Sequence, residues 1–111
     1  MVKYIPEAGD IVALSFDPQS GHEQKGRRPA LIVSHKLFNQ HLGLAFACPI
    51  TNTKRDFPFH IEVDSPQLTG FIMAEQLKSI DFNARRIKFI EKAKRETLDE
   101  VLSIVGTILD C

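Results

Sequence analysis

The chain contains no tryptophan, one tyrosine and only two cysteines among its 111 residues. Cys48 sits inside an apolar run and Cys111 is the last residue. That is neither a disulfide framework nor a metal-ligand spacing. Cys48 therefore reads as a buried small hydrophobe and Cys111 as a frayed end. There is no glycine-rich phosphate loop and no His-x-x-x-His pair. His35, His41 and His60 are spread widely and read as solvated surface side chains, and His22 differs only through its neighbours. Neither a metal nor a cofactor is expected. No apolar run approaches the ~20 residues of a membrane span. Met1-Val2-Lys3-Tyr4-Ile5-Pro6 holds one lysine and no long apolar stretch, unlike a secretory leader, so a cytoplasmic location without a membrane partner is expected.

Net charge is also lacking, since fourteen basic residues balance fourteen acidic ones. The distribution is less even. Residues 1–55 carry seven Lys and Arg against four Asp and Glu, and the remainder carries seven against ten. A chain polarised in this way can present a basic face on a neutral molecule, although ordinary surface scatter gives the same count. With no net charge, any binding to nucleic acid should show a modest salt dependence.

What is present suits one folded domain over residues 1–111, with 43% apolar and 25% charged residues. The first 90 residues read as short strands with turn punctuation: 10–16, 29–34, 44–50, 58–63, 86–90, and either two short strands or one bent strand over 71–80. Pro29 is expected at the very start of its strand, where a missing N–H is tolerated. Lys36 to Gln40 suggests one helical turn. The last segment changes period. Thr97-Leu98-Asp99-Glu100 fits a capping box, and Leu98, Val101, Leu102, Val105, Ile108 and Leu109 follow at helical spacing. Gly106 inside that helix suggests close packing. Short strands plus one terminal helix indicate a small barrel-like antiparallel sheet with a helix packed on it.

Three stretches hold side chains able to do chemistry. The loop before Pro29 contains His22, Glu23, Gln24, Lys25, Arg27 and Arg28 together with two glycines. Long polar loops inside compact domains are usually functional or disordered. An arginine entering a buried strand suits bidentate phosphate recognition, and the bland alternative is a solvated charged hairpin loop. Thr51, Asn52, Thr53, Lys54 and Arg55 follow a strand end and precede Phe57. This is either a surface for single-stranded nucleic acid or an ordinary hydroxyl-capped turn. The third stretch, Glu75 to Asp81, alternates so that Gln76 and Lys78 share a face, which lines a groove or simply forms the wet side of a sheet.

These residues resemble a known family. Gly9-Asp10-Ile11-Val12, Phe16-Asp17-Pro18, Gly21-His22-Glu23-Gln24 and Gly26-Arg27-Arg28-Pro29-Ala30-Leu31-Ile32-Val33-Ser34 look like the opening of the MazF/PemK toxins, including the ChpB-type branch. Pro49-Ile50-Thr51, Gly70 and Glu75-Gln76-Leu77-Lys78-Ser79-Ile80-Asp81 continue the pattern, and the resemblance runs from about Tyr4 to Leu109. It implies a mainly β fold with α, a small SH3-like antiparallel barrel of the CcdB/MazF/PemK type with a C-terminal helix, in a symmetric homodimer. It implies the toxin half of a type II toxin–antitoxin pair. Such a toxin is a ribosome- and metal-independent endoribonuclease that cuts single-stranded RNA at short sequences and so inhibits translation and growth. The implied partner is a MazE/PemI-like antitoxin whose disordered acidic C-terminal segment lies over the RNA site.

By position, Arg28 and Thr51 match the family's catalytic arginine and threonine, and Glu23 its acidic loop residue. The resemblance further implies attack of the 2′-hydroxyl on phosphorus, leaving a 2′,3′-cyclic phosphate and a 5′-hydroxyl. His22, Gln24, Lys25, Arg27, Asn52, Thr53, Lys54, Arg55, Gln76 and Lys78 are the expected RNA-contacting residues, with His22 a candidate proton carrier and the segment 53–59 a setter of sequence preference. Two alternatives share the architecture: a CcdB-like toxin that binds DNA gyrase without catalysis, and an inactive member. The joint presence of Arg28, Thr51 and Glu23 separates the nuclease from both.

Overall fold

A computed structural model describes residues 3–15, 27–54 and 57–110. Apolar and β-branched runs broken by turns give the strands. β1 (Asp10–Ser15) pairs antiparallel with β2 (Arg27–Ile32), Ile11 opposite Leu31 and Leu14 opposite Arg28. β3 (Ala45–Thr51) takes the other side of β2, with Ala30 opposite Pro49 and Ile32 opposite Ala47. β4 (His60–Asp64) and β5 (Thr69–Met73) form a hairpin, and β5 joins the end of β3 with Ile50 opposite Ile72 and Thr51 opposite Phe71. A 3-10 turn, Ala74–Gln76, leads into β6 (Lys78–Ile80), which pairs with the start of β3 from Ala45 to Ala47. β7 (Lys88–Lys92) covers the outer side of β1. The strand order is β4-β5-β3-β2-β1-β7, with β6 on β3. The stretch 71–80 is thus two strands sharing one partner, and the turn at Ala74 carries the chain from one end of β3 to the other.

Both faces of this curled antiparallel sheet are buried, as in a small barrel. Ile11, Leu31, Cys48, Ile50, Ile61, Val63 and Ile72 face Leu98 and Val101 of the C-terminal helix. Val12, Leu14, Ala30, Ile32, Ala45, Ala47, Ile80 and Phe82 form the second core. Alternation along each strand sends successive side chains to the two cores. Asp10 is nearly buried but well partnered: the Tyr4 hydroxyl donates to it at 2.5 Å, the Glu7 amide at 3.1 Å, and Lys92 Nζ lies 2.6 Å away. Burial and the Asp10 hydrogen bond push the Tyr4 phenol far above its usual value. Burial alone would lower the Lys92 ammonium, but its bonds to Asp10 and Glu7 outweigh that and raise it.

Several details differ from the sequence expectations. The single turn near Lys36 is a seven-residue helix, α1 (Lys36–Leu42). His35 caps it by accepting from the Leu37 amide at 3.2 Å, and Gly43 ends it at φ 72°, a left-handed conformation that suits glycine. α1 is anchored by buried Asn39, which donates to Pro6 O at 2.8 Å and Ser34 O at 3.1 Å and accepts from the Ser34 hydroxyl. The C-terminal helix, α2 (Arg95–Leu109), starts before the capping box. Lys94 is its N-cap without a side-chain bond, so Thr97 lies within the first turn. The cause is Ala93, whose amide bonds Gly9 O at 2.8 Å and places the start early enough to bury Leu98. A Cβ on Gly106 would meet nothing within 4 Å, so that glycine serves no close approach. Of the apolar stripe, Leu98 and Val101 are buried while Leu102, Ile108 and Leu109 remain exposed.

Candidate active site

β2 and β3 separate at the end where their prolines stand. The pairing runs from Ile32–Ala47 to Ala30–Pro49, and Pro29 lies one residue beyond it. Pro29 is the third residue of β2, opposite Ala13 of β1, and not the first residue of the strand as expected. Neither Pro29 nor Pro49 has an N–H to donate, so the ladder opens there. The same register carried two residues on brings Arg28 level with Thr51. Between them lies a cleft of about 360 Å³ lined by Arg27, Arg28, Pro29, Ile50, Thr51, Asn52, Leu68 and Thr69.

Within it, the Arg28 side chain is exposed and makes no hydrogen bond or ion pair among the described residues. Its five donors are available to a ligand. The Thr51 oxygen accepts from the Thr53 amide at 3.2 Å. That bond orients the hydroxyl and leaves its proton free to donate. A guanidinium and a hydroxyl donor thus converge on one opening. This is the geometry that binds a phosphodiester and stabilises charge growing on its oxygens. Arg27 is committed differently: its Nη2 donates to Ala13 O at 3.4 Å and Arg86 O at 3.2 Å.

The other sequence candidates divide into three groups. Asn52 lines the cleft, and Thr53 and Lys54 are exposed in the turn after it. Lys78 stands opposite Ala47, four residues from Thr51 along β3. It shares the face of β3 that carries Thr51, because alternate residues of a strand point the same way, but neither it nor Gln76 lines the cleft. Glu23, His22, Gln24, Lys25 and Arg55 lie outside the described residues. Sequence reasoning missed Thr69, whose only signal was its place beside Gly70 at a strand start.

It also misjudged His60. That side chain is 3% exposed rather than solvated, with Nε2 3.1 Å from Glu75 Oε2 and Nδ1 lacking a partner among the described residues. The ring of Phe57 stands edge-on to it, with centroids 5.1 Å apart, and shields it from water. The alternation of 58–63 placed His60 on the outer face but gave no sign of this cover. Cys48 is no nucleophile, since burial and then the Glu75 charge push its thiol up to about 12. Among the described residues no group of three or more His, Cys, Asp or Glu could hold a metal ion. A second cleft of about 530 Å³ opens between the starts of α1 and α2, but Lys92 there is paired with Glu7 and Asp10, and Arg95 with Asp99.

Comparison with known proteins bears on the fold and the family. Residues 7–109 match the family model described as PemK-like, MazF-like toxin of type II toxin–antitoxin system. The chain is 40% identical over 110 residues to the endoribonuclease toxin ChpB of Escherichia coli K12, covering 94% of each. It is 35% identical over 83 residues to the endoribonuclease toxin MazF of the same strain, covering 75% of each. The crystal structure of MazF from Deinococcus radiodurans superposes with a TM-score of 0.87 at 37% identity, over 98% of this chain and all of that one. MazF in a MazE–MazF crystal structure from the same organism gives 0.86 at 32% identity, over 97% and 98%.

Proposed function

The chain belongs to the PemK-like, MazF-like toxin family of type II toxin–antitoxin systems, and we propose that it is the endoribonuclease of such a pair, cutting single-stranded RNA at the cleft between Arg28 and Thr51. The carrying observation is the convergence of a guanidinium unpaired among the described residues and an oriented hydroxyl on one opening. In the proposed reaction the 2′-oxygen forms a bond to phosphorus and the bond to the 5′-oxygen breaks. The 2′-hydroxyl proton passes to a base, and a proton reaches the departing 5′-oxygen. The products are a 2′,3′-cyclic phosphate and a 5′-hydroxyl. Arg28 and Thr51 donate to the non-bridging oxygens as charge builds there. Glu23 is the proposed acceptor of the 2′-hydroxyl proton. Arginine is a poor proton donor in water, which assigns Arg28 to charge stabilisation and not to proton transfer. DNA lacks the attacking hydroxyl, so it should bind without being cut.

His22, Gln24, Lys25, Asn52, Thr53, Lys54, Arg55, Gln76 and Lys78 are the proposed RNA contacts around this centre. A second copy of the chain is the proposed cover for the exposed Leu102, Ile108 and Leu109 of α2, giving a homodimer. The proposed regulator is a MazE-like antitoxin with an acidic segment that competes for the same basic opening. Among the described residues no helix is long and apolar enough to cross a membrane, and the proposed place of action is the cytoplasm, where messenger RNA is found. Arg28→Ala tests the site. Removing a donor aimed at developing charge lowers kcat by about 10²–10³-fold. Folding should be unaffected, because the Arg28 side chain is exposed and bonds no described residue. Thr51→Ala should follow with a smaller loss. Full activity in Arg28→Ala would sink the assignment.

A further inference from the structure

The start of β2, which carries Arg28, is not held by β3, since that ladder opens at Pro29 and Pro49. It is held from its other side, by β1, where Leu14 stands opposite Arg28 and Ser15 opposite Arg27. That end of β1 is in turn bonded to the turn between β6 and β7. The Asp81 carboxylate accepts from the amides of Asn83 and Ala84 at 3.1 and 3.2 Å, and Arg85 N bonds Asp81 O at 3.0 Å. The turn so wound presents two carbonyls to the sheet. Arg85 O accepts from the Ser15 amide at 3.2 Å, while Arg85 Nη1 returns a bond to Ser15 O at 3.1 Å. Arg86 O accepts from Arg27 Nη2, which also reaches Ala13 O. Ser15 and Arg27 face each other across β1 and β2. Arg86 takes φ 54°, a left-handed conformation that a side chain disfavours and that the surrounding bonds must hold.

We propose that Arg27 is a positioning residue of the RNA-cleaving site: its guanidinium staples the open end of β2 to the turn at Arg86, and so fixes the backbone that carries Arg28 at the cleft it shares with Thr51. This rests on reading Arg28 and Thr51 as that site, and it reassigns Arg27 from an RNA contact to a part of the frame. A staple and a phosphate contact differ in what their loss does. A phosphate contact contributes to binding and to the salt slope. A staple acts on geometry, and small misplacements of a reacting group cost rate.

The test uses the intact protein, a short single-stranded RNA with one mapped cut, and the variants Arg27→Ala, Arg27→Lys and Asp81→Ala. Arg27→Ala should lower kcat about tenfold and leave KM and its salt dependence as in the wild type. Arg27→Lys should recover most of the rate, since an ammonium still reaches a carbonyl. Asp81→Ala should lower kcat in the same way and add little to Arg27→Ala, because both loosen one device. Amide hydrogen exchange at Ser15 and Arg28, read without RNA, should rise about tenfold in Arg27→Ala and Asp81→Ala. An unchanged kcat, or a raised KM with a salt slope reduced by about one, would overturn the proposal. So would unchanged exchange at Ser15, whether or not RNA is cut. Failure of the wild type to cut would refute the reading of the site beneath it, and the exchange measurement would still decide on the staple.

Discussion

Replacing Gly70 by alanine probes how closely the fold holds the cleft. Gly70 sits on β5 opposite Val63. A Cβ there would stand 2.9 Å from Ile50 Cγ2 and 2.9 Å from the Thr51 carbonyl oxygen. Relaxed carbon contacts lie near 3.5–4.0 Å, so one strand must move by several tenths of an ångström. Neither neighbour gives way easily. Ile50 is 4% exposed within a packed core, and Thr51 O belongs to the backbone. Overpacking of this kind costs about 1–3 kcal/mol. Alanine returns about 0.4–1 kcal/mol by restricting the unfolded chain. Taken at mid-range, the net loss is about 1.3 kcal/mol, or a Tm lower by about 5 °C in a domain of this size. Because the clash falls on the residue carrying the site hydroxyl, kcat for RNA cleavage should also fall about tenfold at a temperature well below the transition. Thermal melts followed by circular dichroism, with cleavage rates on the same samples, would check both. A Tm equal to or above that of the wild type would refute the steric reasoning.

Gly106→Ala should move stability the other way, by about 0.5–1 kcal/mol, since a Cβ there meets nothing within 4 Å; urea titration reads it. Asn39→Ala should destabilise by about 1–3 kcal/mol, because it leaves Pro6 O without its buried donor and removes the acceptor of the Ser34 hydroxyl; a lowered urea midpoint with unchanged slope is the expected signature. The alkaline limb of stability follows from Tyr4 and Lys92, both raised in the folded state. A raised group adds stability that is fully present below its unfolded pKa, about 10 for each, and is lost as pH climbs from there towards the folded value. Tm should therefore drop above about pH 10, and Tyr4→Phe should blunt that drop.

Most strands were legible because alternation and proline or glycine punctuation record which face is buried. β4 illustrates this, with Ile61 and Val63 inward and Glu62 and Asp64 outward. The start of α2 was not, because the Thr97 pattern competes with a tertiary bond from Ala93 to Gly9, far away in sequence. Arg28 and Thr51 were legible as chemistry and by resemblance, whereas their opposition across an opened ladder required the register. The bonds of Arg27 and the burial of His60 were not legible for one reason. Their partners, Arg86 O and Glu75, lie 59 and 15 residues away, and no local pattern announces them.

The most direct test of the proposed reaction is to incubate the purified, antitoxin-free protein with a long mixed-sequence RNA in EDTA and to map the fragment ends. Discrete cuts at one short sequence, leaving 5′-hydroxyl and cyclic phosphate ends, are expected, with the same sequence in DNA left intact. An uncut RNA from protein shown to be folded, or 5′-phosphate ends, would contradict cleavage by 2′-hydroxyl attack at the Arg28–Thr51 cleft.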